Sequence, residues 1–177
     1  GRTYRVRCKM KDSSGRWSHW SDPNQFVAGE PMSAGILDNL RVTEVMYNPA
    51  DADLSKDELD VDNDEFEYIE LKNIGDEELD LADVSFTEGI TFAFAGSNVE
   101  TLNGGEFVLV VRNVAAFESR YPGLSGRIAG SYDVTDQRLS NSGEVVKLED
   151  YYNGTIADFD YNDGYGWPLS ADGGGHS

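Results

Sequence analysis

The sequence predicts an all-β chain: a β-sandwich with one short helix, preceded by a separate N-terminal β-hairpin. Short strand-like stretches recur from Leu37 onward with turn residues between them, the pattern of a sandwich built from many short strands. Only residues 114–121 have helical character. Residues 3–11 alternate without a fault, with Tyr4, Val6, Cys8 and Met10 on one side and Arg5, Arg7, Lys9 and Lys11 on the other. Period two means a half-buried strand.

The elements follow in order. Asp12-Ser13-Ser14-Gly15 is turn chemistry, and a short second strand is expected at residues 25–28. Residues 29–37, with Pro31, Ser33 and flanking glycines, form a linker. Strands are then expected at 39–47, 65–73, 79–81, 84–87, 90–94, 106–112, 144–149 and 155–161. Asn103-Gly104-Gly105 and Asn141-Ser142-Gly143 mark turns, and Asn153-Gly154 gives the two-residue type I′ hairpin signal. The helix at 114–121 has Asn113 as its N-cap and is stopped by Pro122-Gly123.

Charge divides the chain. Residues 1–30 carry six basic and three acidic side chains; residues 31–177 carry eight basic and thirty acidic ones. A sign change along a chain of this length suggests two units. The acidic unit repels nucleic-acid phosphates, which are bound by Lys and Arg, so no nucleic-acid partner is expected. No run of 18 apolar residues exists, so no helix inserts into a membrane. Gly1 opens almost directly into a strand pattern, as in a piece of a longer chain, so a missing signal segment says nothing about compartment.

From Leu40 on, the order of motifs resembles the lamin tail domain, an immunoglobulin-like β-sandwich found in nuclear lamins and many bacterial surface proteins. The matching pieces are residues 41–49 (RVTEVMYNP), 67–73 (EYIELKN), 79–81 (LDL), 102–110 (LNGGEFVLV), 139–148 (LSNSGEVVKL) and Trp167-Pro168. The acidic insert at 51–64 is longer than in lamins, and the family's usual last strand has no counterpart before Ser177. Residues 1–28 resemble the closing hairpin of a fibronectin type III domain, with a WSxWS motif at 17–21. That resemblance implies cation–π contacts of Trp17 and Trp20 with Arg5 and Arg7 of the neighbouring strand. Together the two units resemble large bacterial surface proteins, some of which carry a CotH kinase-like domain. The expected organisation is 1–28 hairpin, 29–37 linker and 38–177 sandwich.

Candidate sites are few. Between Asp51 and Glu67 there are nine carboxylates and a single Lys56. Asp60, Asp62 and Asp64 at alternate positions, with Glu67 behind, offer the hard oxygens that Ca²⁺ takes. The EF-hand pattern fails, because Glu65 stands where Gly is needed and Leu71 where Glu is needed. The alternative is a solvated, mobile acidic loop. Ca²⁺ is the one candidate cofactor, and none is required. Asp158, Asp160, Asp163 and Asp172 form a second acidic group, of which Asp158 and Asp160 read as the outward positions of a strand.

Tyr161, Tyr165 and Trp167, with Tyr151 and Tyr152 nearby, are a candidate ligand platform for glycan or protein; the plainer reading places them in the core. His19 and His176 are the only histidines, too few for a Ser/His/Asp triad or a His-rich metal centre. Cys8 is expected as a small buried residue on the apolar side of its strand.

The sequence thus reads as a non-catalytic extracellular or cell-surface module for adhesion, anchoring or spacing within a larger protein, with Ca²⁺ stabilisation through the insert as an option. Its partners would be protein or glycan ligands and neighbouring domains of the same chain. The alternative is an accessory carbohydrate- or protein-binding domain attached to an enzyme elsewhere in the chain.

Overall fold

A computed structural model describes residues 3–27, 34–132, 136–151, 154–164 and 166. Internal contacts divide the chain into Gly1–Ala34 and Gly35–Ser177, and each unit is taken by itself.

In the first unit, β1 (Thr3–Val6) pairs antiparallel with β2 (Asn24–Val27), and Tyr4 stacks on Phe26 with ring centroids 5.7 Å apart. Beyond β1 the ladder changes character. Ser18 N–H donates to Met10 O (2.8 Å) while Met10 N–H donates to Ser18 Oγ (3.0 Å). Ser21 and Cys8 repeat the exchange at 2.8 and 3.1 Å. Each serine hydroxyl takes the place of a backbone carbonyl.

This register brackets Lys9 between the two tryptophans, so its ammonium lies 4.6 Å from the Trp17 ring and 5.0 Å from Trp20, with Lys11 5.7 Å from Trp17. The sequence expectation of Arg5 and Arg7 is therefore corrected: Arg5 stands level with β2, where its Nε donates to Gln25 Oε1 at 3.1 Å, and neither arginine lies over a ring among the described residues. Exposed contacts of this kind contribute about 0.5–1 kcal/mol each. The expectation for Cys8 is also corrected. It is exposed, as are Tyr4, Val6 and Met10, because nothing in residues 3–27 covers that side of the ribbon.

A short helix, α1 (Ala34–Asn39), leads into the second unit, where linker was expected up to residue 37. Two four-stranded sheets follow. One runs β10 (Ile128–Ser131), β9 (Phe107–Val111), β4 (Tyr68–Asn73), β3 (Leu40–Met46). The other runs β12 (Thr155–Asn162), β11 (Gly143–Asp150), β6 (Val84–Glu88), β7 (Phe92–Ala93). A small ribbon joins β5 (Leu79–Asp80) to β8 (Thr101–Leu102).

Alternation decides which side each residue buries. Ile69, Leu71, Val108 and Val110 of the first sheet share one core with Val84, Phe86, Val146, Leu148 and Tyr161 of the second. This is the immunoglobulin-like sandwich that the sequence predicts. The opposite positions, Tyr68, Leu109 and Val111, enter a second core with Phe117 of α2 (Val114–Arg120). The central strand is thus covered on both sides, which is why residues 107–111 read as an unbroken apolar run rather than an alternation.

Asn113 caps α2 by accepting from the Ala115 and Ala116 N–H groups at 3.0 and 3.2 Å. The helix connects β9 to β10, which run parallel; parallel neighbours require such a crossover.

The turn before β11 needs Gly143, whose φ is 103° and where an added Cβ would lie 2.3 Å from Tyr161 O. Between β11 and β12 four residues intervene instead of the two that Asn153-Gly154 suggested, and Asn153 itself lies outside the described residues. Asp150 holds that loop, accepting from Gly154 N–H at 2.6 Å.

Candidate functional site

The acidic insert is built from defined turns tied to the sandwich. Asp53 caps a 3₁₀ turn, Leu54–Lys56, by accepting from Ser55 N–H, and Asp57 closes it in the left-handed region at φ 61°, a conformation that Asp tolerates better than most residues. The Ser55 hydroxyl and the Lys56 ammonium hold the Asp53 carboxyl at about 2.

The anchor is Glu58, whose Oε2 accepts from Arg120 Nη2 at 2.7 Å and Nε at 3.0 Å. The two side chains are only 7 % and 10 % exposed. The Arg120 guanidinium also lies 3.6 Å from the centroid of Phe66, and Leu59 N–H donates to Ser119 Oγ. The insert is thereby clamped onto α2 and the start of β4. Burial opposes ionisation of Glu58, but hydrogen bonds from Arg120 and from Asp53 N–H outweigh it and hold the carboxyl below its ordinary range.

The four residues expected to bind Ca²⁺ have separate roles. Asp62 caps a second 3₁₀ turn, Asn63–Phe66, by accepting from Asp64 N–H at 3.1 Å. This turn occupies residues where the sequence suggested the start of a strand. Asp64 is buried and faces Arg112 at 3.7 Å and Arg138 at 3.3 Å. Glu67 is fully buried, and its Oε2 accepts from Tyr132 Oη–H at 2.6 Å and Leu139 N–H at 2.8 Å. Asp60 is exposed.

The quartet is therefore corrected: among the described residues no group of three or more His, Cys, Asp or Glu side chains is placed to hold a metal ion. Arginines already neutralise Asp64, and Glu67 is committed to the interior. Adding millimolar Ca²⁺ and then EDTA is expected to leave the thermal midpoint unchanged, since only a ligand of the native state raises it; a Ca²⁺-dependent rise of several degrees would restore the metal site.

What forms around Glu67 is a polar cross-tie. Arg112 sits beside it, with Nη2 3.4 Å from Glu65 Oε1 and 3.2 Å from Asp136 Oδ1. Asn141 adds a hydrogen bond to Asp64 at 3.4 Å. The cluster thus ties Tyr132, Asp136, Arg138, Leu139 and Asn141, which lie between β10 and β11, to the segment leading into β4. Burial pushes the Glu67 carboxyl up to about 8; the Asp64 charge adds to the rise, while the Tyr132 and Leu139 hydrogen bonds and Arg112 oppose it. Burial likewise raises the Tyr132 phenol well above its ordinary value.

The platform expectation is also corrected for Tyr161. Its ring is fully buried 4.8 Å from Tyr47, and its hydroxyl donates to Ser140 O at 2.9 Å. A ring in the core offers no surface to a ligand. Tyr165 and Trp167 lie outside the described residues. Asp158 and Asp160 do point outward from β12.

With the sandwich, its helical crossover and the signature strand at Tyr68–Asn73 in place, the comparison with known families is decisive: the profile of the Lamin Tail Domain matches residues 37–163. The chain belongs to the lamin tail domain family. Lamin tail domains are immunoglobulin-like and typically non-catalytic, and this one has the architecture of an interaction module. No curated protein matches the chain.

Two features of this lamin tail domain escaped the sequence. The Glu58–Arg120 clamp joins residues 62 apart, beyond the reach of any periodicity. The Glu67 cross-tie had one signal: a carboxylate immediately before a strand whose next residues, Tyr68 and Ile69, are both buried.

Proposed function

We propose that this lamin tail domain serves adhesion, anchoring or spacing at the outer surface of a cell, as one module of a larger protein. The observation that supports this most is the ordered acidic face. The Glu58–Arg120 clamp fixes the insert so that Asp57, Asp60 and Asp62 stand exposed on a rigid support. Pre-ordering such a surface lowers the entropy lost on binding a partner.

The N-terminal ribbon fits the reading as the closing hairpin of a fibronectin type III-like unit, in the manner of surface proteins that combine such modules, CotH kinase-like ones among them. Neighbouring domains of the same chain are its nearest partners. Ca²⁺ is not part of this reading.

Surface location has a direct test. Treating intact source cells with a membrane-impermeant protease should remove the immunoblot signal of this domain while a cytosolic marker survives. Full protection of the domain until the cells are lysed would overturn the proposal.

A further inference from the structure

The N-terminal ribbon carries its charge differently from the sandwich. In the sandwich, Lys56, Arg112, Arg120, Arg127, Arg138 and Lys147 each pair with a carboxylate. In the ribbon, among the described residues, only Arg16 does so, with Asp12. Arg5, Arg7, Lys9 and Lys11 form no ion pair there, although acidic side chains outnumber basic ones by 33 to 14 in the whole chain. All four are exposed.

Their order follows from the ladder. Arg5 stands opposite Gln25, and its Nε donates to that amide at 3.1 Å. Lys11 stands opposite Trp17, and Lys9 and Lys11 lie over the same ring at 4.6 and 5.7 Å. Alternation places Arg7 between Arg5 and Lys9 on this side, while Tyr4 stacks on Phe26 on the other. An amide oxygen and an aromatic ring position a cation without neutralising it. The row therefore keeps its full charge, over about 20 Å of extended chain.

Four like charges in a row repel one another, and a negative partner relieves that repulsion. The fitting partner is extended and repeatedly anionic, since a single small anion reaches only one or two of the cations. The planar guanidinium groups of Arg5 and Arg7 offer paired donors to anionic oxygens. Nucleic acid fits less well. Single strands gain from stacking bases on open aromatic faces, and Trp17 and Trp20 already hold lysine ammoniums over their rings.

We propose that the row Arg5, Arg7, Lys9 and Lys11 binds an anionic polysaccharide, with its sulfate or uronate groups set against the four cations. The proposal rests on the anchoring reading and names the ligand class that the module holds. The test is calorimetric titration of the intact chain at about 0.1 M salt, where the Debye length is about 10 Å. The probes are a heparin-derived octasaccharide and octagalacturonate, beside neutral maltooctaose and an oligothymidylate of matched charge.

Saturable binding is expected with at least one of the two anionic octamers, the tighter of them distinguishing sulfate from carboxylate, and none with maltooctaose. Raising the salt to about 0.5 M should weaken it about tenfold, because exposed charges are screened. The double variant Arg5→Gln with Arg7→Gln, at positions that touch neither tryptophan ring, should weaken it about tenfold, as the loss of two exposed ion contacts does. Lys56→Gln with Lys72→Gln, which removes an equal charge from exposed positions of the sandwich, should leave it unchanged. Absence of saturable binding to both anionic octamers at millimolar sugar overturns the proposal, as does an equal loss in the Lys56 and Lys72 double variant. Oligothymidylate binding as tightly, with the same sensitivity to the arginine variant, overturns the polysaccharide assignment. None of these failures bears on the surface location, which the protease experiment tests separately.

Discussion

Arg120→Ala is expected to lower stability by about 3–5 kcal/mol, the range for breaking a buried ion pair and leaving one charge without its partner. Glu58, 7 % exposed with Arg120 in place, would lose two of its hydrogen bonds, and Phe66 would lose the guanidinium stacked on it. Chemical denaturation followed by tryptophan-independent circular dichroism measures this on the sandwich.

The double variant Glu58→Gln with Arg120→Met is expected to recover most of the loss, because it removes both charges and keeps much of the volume. A cost below about 1 kcal/mol for Arg120→Ala would mean that the pair behaves as an exposed one and that the insert is not clamped. Because the pair joins the insert to α2, hydrogen exchange at residues 53–59 should speed up in Arg120→Ala more than exchange in β4 and β9.

Much of the sandwich was legible because alternation and capping are local. The helix could be read from Asn113 and Pro122, and Asn113 makes the cap bonds in the structure. The signature strand could be read from Tyr68 to Asn73, although its first expected residues form a 3₁₀ turn, since Asp62 caps Asp64 instead. Strand β10 went unread because Ile128–Ser131 is four residues long with two glycine or serine positions, and its parallel pairing with β9 depends on a helix in between. Strand β8 is only two residues, Thr101–Leu102.

The candidate sites were less legible than the fold for a physical reason. Sequence spacing places Asp60, Asp62 and Asp64 near one another but does not say which cation neutralises them. For Asp64 those cations are Arg112 and Arg138, 48 and 74 positions beyond it, while Asp60 is exposed and Asp62 caps a turn. In the same way, alternation predicted a buried Cys8, and the residue is exposed because alternation names a side of a strand without supplying what covers it.

Glu67 gives the second large effect, and its sign is opposite to that of most carboxylates. In the unfolded chain a glutamate titrates at about 4.3; in the fold this one is pushed up to about 8. Between those values the native state keeps a proton that the unfolded chain has released. Stability therefore falls as pH rises through this window and levels off above it. The groups facing Glu67 are Asp64, Arg112 and Tyr132, together with the Leu139 N–H.

Glu67→Gln should separate this term from the rest of the acidic chain. Its amide oxygen can accept from Tyr132 and Leu139 as Oε2 does, and it carries no charge at any pH. The variant and the natural chain are expected to melt together at pH 5 and to diverge by pH 9, the variant being more stable by on the order of 2–4 kcal/mol, since each unit of displacement is worth about 1.4 kcal/mol. Glu67→Ala, by contrast, strands two buried donors and should be less stable than the natural chain at pH 5, by about 2–5 kcal/mol, with the gap narrowing toward pH 9. Parallel melting curves for Glu67→Gln and the natural chain from pH 5 to pH 9 would show that Arg112 neutralises the carboxylate in the fold. The cross-tie would then be a buried ion pair rather than a protonated acid.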